Sequence, residues 1–462
     1  MNESAATIPT PKESPDQGSL PEHKVILPRQ TETHAPPKGL TGFLRRLGPG
    51  LITGASDDDP SGIATYSQAG AQFGYGLLWT MLFSLPLMSA IQEISARIGR
   101  VTGHGIAGNI RRHYSAWLLY PVIFLVVLAN TINIGADLGA MGDALSLLVG
   151  GPALLYCAAF AILCVVAQIF STYENYSKYL KWLTLALFSY VATVFMVHVP
   201  WGDALKHTVI PSFQRNGEYW ATFIAVLGTT ISPYLFFWQA SLESEDVRET
   251  PGEEPLLRDP KDARYQFGRI RFDTYVGMAF SNMVAFFIIL AAAVTLNAHH
   301  ITNVETSSQA AEALRPVAGR FAFILFALGI VGTGLLAVPT LAGSAAYAVG
   351  EACKWPSGLA RKPLAAKGFY GVLAAATLLG LALNFPVVQH HTHLSPIKAL
   401  FWSAVLNGVV SVPVMIVTML MFQSNKVMGQ FARVSRRLRW VGWLATAVMF
   451  LATVGMFVTW KK

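Results

Sequence analysis

The stretch Ser56-Asp57-Asp58-Asp59-Pro60-Ser61-Gly62, SDDDPSG, decides how this chain is read. It interrupts a run of small and apolar residues, "GPGLITGASDDDPSGIATYSQAGAQFGYGLLWTM", that spans residues 48–81. Proline removes a helix donor and clashes with the preceding turn, and glycine lowers the cost of unwinding. Three carboxylates at that point ask for a reason, because one carboxylate at the centre of a membrane helix costs about 2.5–3.5 kcal/mol on insertion scales.

The rest of the chain makes the membrane reading firm. The 462 residues are 53% hydrophobic, only 13% are charged, and the mean hydropathy is +0.44. A soluble protein of this length carries about twice that charged fraction. Apolar runs of membrane-spanning length, about 20 residues, fall near 47–72, 76–98, 116–148, 152–171, 177–199, 219–241, 274–297, 320–350, 367–385, 397–423 and 437–460. The expected fold is therefore an all-α polytopic membrane protein with 11 spans. Residues 1–43 lack apolar periodicity and read as a disordered tail, and the start has no signal-peptide core. A ten-helix core over 44–425, with repeats at about 44–200 and 218–425, is expected to precede an eleventh helix within 426–462.

Charge placement sets the orientation. Of 34 Lys and Arg, 27 fall in the tail and the even-numbered loops. The positive-inside rule then puts the N-terminus in the cytoplasm of a cell inner membrane. The net charge of +8 is a topology signal, and nucleic acid is not an expected partner. Cys157, Cys164 and Cys353 form neither a metal spacing nor a disulfide framework. No P-loop, HExxH or GxSxG signature occurs, so an enzyme is not expected, nor is a resident cofactor.

A second break lies in "ATFIAVLGTTISPYLFFWQAS", at Gly228-Thr229-Thr230-Ile231-Ser232-Pro233. If the first ten helices divide five and five, it sits where SDDDPSG sits in the first half. Unwound backbone at membrane depth is tolerated where protein or a water-filled cavity surrounds it. A matched pair of interrupted helices is the best sequence pointer to a transporter's midplane site. Asp59 then reads as the cation-binding carboxylate, with Asp57 and Asp58 toward a vestibule. Ser232 offers a hydroxyl and Thr229 a backbone carbonyl, an oxygen-rich set suited to a hard cation. The bland alternatives are a first helix that starts after Pro60, with the triplet in water, and a Ser232 bonded back to its own helix.

These residues resemble the natural resistance-associated macrophage protein (NRAMP) family of divalent-metal transporters. That family carries Asp-Pro-Gly-Asn in its first helix, where this chain has Asp59-Pro60-Ser61-Gly62, followed by Ala64-Thr65 and Gln68-Ala69-Gly70-Ala71. Its sixth helix carries Met-Pro-His, where this chain has Ser232-Pro233-Tyr234. The resemblance spans roughly residues 45–425 and implies a LeuT-like fold of two inverted five-helix repeats plus one extra helix. It also implies backbone ligands at Ser56 and Thr229, and a side-chain ligand missing at Gly62. Loss of the amide, the thioether and the histidine together resembles the NRAMP-related magnesium transporters. Asn130 or Asn133 falls where the family has proton-pathway acids, which leaves Asp137 and Asp143 as candidate acids.

Other polar groups in the spans have bland counterparts. Asn407 and Ser411 are expected either to support the site, by bonds to Asp59 or bound water, or to form a helix–helix contact. Glu93 and Arg97 read as an i,i+4 ion pair. Glu243, Glu245, Asp246 and Glu249 read as a solvated acidic loop, with a cation-gathering mouth as the alternative. His299, His300, His390, His391 and His393 read as exposed loop residues, with a peripheral metal site as the alternative. The expected function is import of Mg2+ or Mn2+, with Fe2+ a third candidate, by alternating access around Asp59. The expected partners are the metal ion and the bilayer, with the protein working as a monomer. A LeuT-fold symporter of amino acids or another organic solute is the alternative; a metal-sensing receptor without flux is a third class.

Overall fold

The computed structural model describes Gly54 and residues 57–170, 183–387, 395–433 and 435–460. The 1–43 segment, Ser56, His390, His391 and His393 lie outside the described residues. Counting helices of eight residues or more, the chain runs α1 Pro60–Phe73, α2 Trp79–Thr102, α3 Ile106–His113, α4 Ala116–Val149 and α5 Ala153–Phe170. It continues with α6 Phe188–Met196, α7 Trp201–Val209, α8 Gly217–Thr230, α9 Pro233–Glu249 and α10 Ala263–Thr295. α11 Ala322–Cys353, α12 Lys367–Ala382, α13 Pro396–Gln423 and α14 Arg436–Thr459 complete it. No strand occurs among the described residues.

Each of the eleven apolar runs contains helix. Among the described residues seven segments are long and apolar enough to cross a membrane by themselves, and α12 and Leu185–Met196 are shorter apolar helices. Pro60–Leu77 and Trp79–Thr102 meet at a bend of 107°, where Gly74 takes φ +55°, a conformation that favours glycine. This is a multi-pass membrane protein. The sheath and the centre of the bundle differ sharply in burial. The α8–α9 segment is 94% buried, against 28% for α5 and 33% for α14. α5 and α14 turn Leu155, Ile162, Phe170, Leu444, Leu451 and Phe457 outward, as lipid-facing helices do.

The broken helix of each half packs on the second helix of the other half. α1 lies on α10 and α9 on α2. Both seams close through glycine: a Cβ on Gly70 would sit 2.2 Å from the Ile289 carbonyl oxygen, and one on Gly99 2.1 Å from that of Ala240. α8 meets α13 the same way, with a Cβ on Gly228 falling 2.1 Å from the Ala404 carbonyl oxygen. Lipid tails are as apolar as leucine, so helices in a bilayer associate through such close small-residue contacts.

The second break is ordered by hydroxyls. α8 ends at Thr230 and α9 starts at Pro233, with Ile231 at φ −120° and ψ 60°. Ser232 Oγ donates to the carbonyls of Gly228 (2.8 Å) and Thr229 (2.9 Å), and Ser411 Oγ on α13 donates to that of Ile231 at 2.6 Å.

At the end that gathers the basic loops, the structure corrects the sequence reading of the acidic segment. Glu243, Glu245, Asp246 and Glu249 are on α9, not on a solvated loop. Glu243 and Glu245 are buried. Arg269 holds Glu243 at 2.6 Å, and Arg100 on α2 holds Asp246 at 2.8 Å and also pairs with Glu253. Glu245 accepts from the Tyr347 hydroxyl and from the Ala360 amide at 2.7 Å. Period and partner decide here, because α9 extends past the apolar run and brings those acids under α2, α10 and α11. Glu93 and Arg97 do form the expected i,i+4 pair, at 2.5 Å.

Two substitutions test this packing. Gly228→Ala forces α8 and α13 apart and is expected to destabilise by about 1–3 kcal/mol. It should lower the thermal unfolding midpoint, whereas Gly371→Ala, which meets nothing within 4 Å, should leave it unchanged. Ser411→Ala strands the Ile231 carbonyl and is expected to cost about 1–3 kcal/mol by the same measurement.

Candidate cation site at the two helix breaks

Asp59 is the residue on which the site is built. It takes an extended conformation and caps α1, with Pro60 in the first turn. Oδ1 accepts from the Gly62 amide at 2.8 Å and from Ser61 Oγ at 2.6 Å. Capping by aspartate answers orphan amides and the positive end of the helix dipole. The chain therefore breaks here because one carboxylate does the work of a helical turn. Oδ2 points the other way and accepts from Asn133 Nδ2 on α4 at 3.0 Å.

All three carboxylates of the triplet are buried, Asp57, Asp58 and Asp59 alike. That excludes both the triplet in open water and, in this conformation, a vestibule position for Asp57 and Asp58. The bundle continues on the N-terminal side of the break, since a Cβ on Gly54 would strike the Gly277 backbone of α10 at 2.5 Å. Ser281 Oγ on α10 donates to Asp57 at 2.7 Å and to Asp58 at 3.0 Å. Asp57 Oδ1 has no hydrogen-bond partner among the described residues.

Thr229 reaches the first break by its side chain, while its carbonyl accepts from Ser232 Oγ. Its Oγ1 lies 3.5 Å from Ser61 Oγ. Gly62 lets the two breaks come close: a Cβ there would stand 3.2 Å from the Tyr66 ring, 3.4 Å from Thr229 Oγ1 and 3.7 Å from Asp59 Oδ1. Ser232 gives its proton to its own helix, which is the alternative that the sequence reading held for it. Tyr234 is fully buried on α9, and its carbonyl accepts from Ser344 Oγ at 2.9 Å.

The supporting residues reach Asp59 through an intermediary. Asn407 Nδ2 donates to Asn133 Oδ1 at 3.3 Å, and Asn133 in turn holds Asp59. Ser411 acts on the second break rather than on Asp59. Asn133 Nδ2 also lies 3.3 Å from Asp137 Oδ2, one turn along α4. Asp143 is six residues further, about 9 Å along the helix axis, where Ser307 Oγ donates to it at 2.5 Å. Sequence reasoning missed Ser61 and Ser281. Ser61 was readable as the second residue of an aspartate-capped helix, while Ser281, more than 200 positions from its partners, carries no local signal. Among the described residues no group of three or more His, Cys, Asp and Glu is arranged to hold a metal, so hydroxyls, amides and carbonyls must complete any coordination around Asp59.

Comparison with known proteins agrees with this architecture. The family model for natural resistance-associated macrophage protein-like chains matches residues 50–459. A protein of Klebsiella pneumoniae named divalent metal cation transporter MntH is 29% identical over 425 residues, covering 88% of this chain and 92% of the relative. A protein of the same name from Deinococcus radiodurans is 24% identical over 352 residues, covering 74% of this chain and 77% of the relative. The crystal structure of an Eremococcus coleocola manganese transporter superposes with a TM-score of 0.70 at 17% identity, covering 90% of this chain and 87% of that one. The structure of MhsT in complex with L-phenylalanine superposes with a TM-score of 0.57 at 14% identity, covering 89% and 97%. At such identities the two structures speak to the fold alone, which is the LeuT-like one that the family resemblance implied. The chain belongs to the natural resistance-associated macrophage protein family.

Proposed function

We propose that this NRAMP-type divalent metal transporter imports Mg2+ or Mn2+ by alternating access around Asp59, without a coupled proton. The observation that carries the reading is the donor set at the two breaks. It consists of the Asp59 carboxylate, the hydroxyls of Ser61, Thr229 and Ser232, and the carbonyls at the end of α8. Every one is oxygen. Soft thioether ligands favour soft ions, whereas carboxylate, carbonyl and water suit Mg2+ and Mn2+. Mg2+ sheds its water reluctantly and keeps several molecules in most sites. Gly62 brings no side-chain oxygen of its own between Asp59, Tyr66 and Thr229, which leaves ligand positions for the ion's own water. Manganese stays within range on ligand chemistry, and a manganese transporter is among the structures that share the fold.

The orientation follows from the basic residues. Side chains from 93–111, 243–269 and 351–361 bond to one another at one end of the bundle, and these segments hold much of the Lys and Arg. With that end in the cytoplasm of an inner membrane, a potential of 100 mV, negative inside, favours divalent entry by about 4.6 kcal/mol. An amino-acid substrate is disfavoured by the same geometry. A substrate carboxylate would seek the amides at the start of α1, and Asp59 already accepts from Gly62 there.

Flux of Mg2+ and Mn2+ into proteoliposomes with an internal pH reporter tests the reading. Mg2+ entry without acidification, abolished by Asp59→Ala, is the expected result. Normal flux through Asp59→Ala, or Mn2+ entry with acidification and no Mg2+ flux, contradicts it.

A further inference from the structure

Asp137 belongs to neither helix break, yet it is a buried carboxylate with an oxygen unpartnered among the described residues. Its residue is fully buried on α4, in the middle of a membrane-spanning helix. Its Oδ2 is 3.3 Å from Asn133 Nδ2, and its Oδ1 has no hydrogen-bond partner. None of the ion pairs among the described residues includes Asp57, Asp58, Asp59 or Asp137. Asn407 contributes a second orphan beside it: Nδ2 donates to Asn133, while Oδ1, also buried, accepts nothing. Two buried acceptor oxygens without donors flank one amide, and that amide also holds Asp59. Such an arrangement is costly unless something positive completes it.

We propose that Asp137 is the second cation-binding carboxylate of the transport site, joined to Asp59 by Asn133 and completed by Asn407. The inference rests on the reading of Asp59 as the metal carboxylate. Distances decide how the two acids share one ion. Asn133 Nδ2 lies 3.0 Å from Asp59 Oδ2 and 3.3 Å from Asp137 Oδ2, so with each N–H of the amide directed at one acid the two oxygens stand about 5.5 Å apart. Direct coordination by both at about 2.1 Å would need them within about 4.2 Å. A cation bonded directly to Asp59 reaches further through one of its own waters, since about 2.1 Å of metal–water bond and about 2.7 Å of hydrogen bond are added. The hydrated ion thus bonds Asp59 directly and Asp137 through water, and the Asn407 carbonyl accepts from that same shell. Two carboxylates match the charge of one divalent ion without any basic side chain. This also explains an asparagine at 133. An amide donates to both acids at once and adds no third negative charge between them.

The test is calorimetric titration of the full-length protein in nanodiscs with MgCl2 and MnCl2. Groups that hold a metal through its outer sphere typically change affinity by about 10–100-fold when removed. Asp137→Asn is expected to weaken binding of both ions by about tenfold or more without lowering the thermal midpoint of the ion-free protein, with Asp137→Glu restoring part of the loss. Asn407→Ala, which leaves both acids in place, is expected to weaken binding about threefold, and it carries the test if Asp137→Asn does not fold. Asp59→Asn is expected to abolish binding. Unchanged affinity in Asp137→Asn, with binding lost in Asp59→Asn, overturns the second carboxylate and leaves the Asp59 site standing. Unchanged affinity in both variants overturns the Asp59 reading and this inference with it.

Discussion

Backbone that leaves the helix inside a bilayer must find a partner for every exposed amide and carbonyl, and the whole site follows from how this chain meets that demand. At the first break the Asp59 carboxylate answers the amide of Gly62 and the hydroxyl of Ser61. At the second, Ser232 and Ser411 answer the carbonyls of Gly228, Thr229 and Ile231. The two solutions differ in sign. The first brings a full negative charge to the positive end of α1, and the second brings the negative end of α8 toward it. In the proposed function a cation between them completes the charge balance, which would make breakage and binding one feature.

Much of this was legible in the sequence because proline and glycine act locally. Pro60 and Pro233 marked both breaks, and the apolar runs marked all eleven helical segments. Asp59 was legible for a related reason, being an aspartate immediately before a helix-starting proline. What the sequence hid depends on contacts between distant segments. Asn133 looked like a replaced proton-pathway residue, and only the packing of α4 on the first break made it the bridge between Asp59 and Asp137. Ser281 donates to Asp57 and Asp58 from α10, far away in the chain. Asn407 supports Asp59 through Asn133 rather than by touching it.

The acidic stretch after Trp238 shows the opposite failure. Read by composition, Glu243, Glu245 and Asp246 formed a solvated loop, since charge runs usually do. In the fold α9 carries them inward to Arg269, Tyr347 and Arg100. Buried pairs of this kind contribute more to choosing one arrangement of helices than to net stability. They close one end of the bundle, while the carboxylates at its centre meet no basic partner among the described residues. The acids at that end tie helices together through arginines, hydroxyls and amides, and those at the centre are the ones proposed to meet a mobile cation.

The most direct test of the central claim is the anomalous scattering of Mn2+ from crystals of the full-length protein. The account predicts a peak bonded to the Asp59 carboxylate at about 2.0–2.2 Å, between the start of α1 and the end of α8. A Mn2+ peak elsewhere in the bundle, with Asp59 still engaged only by Ser61, Gly62 and Asn133, would contradict it.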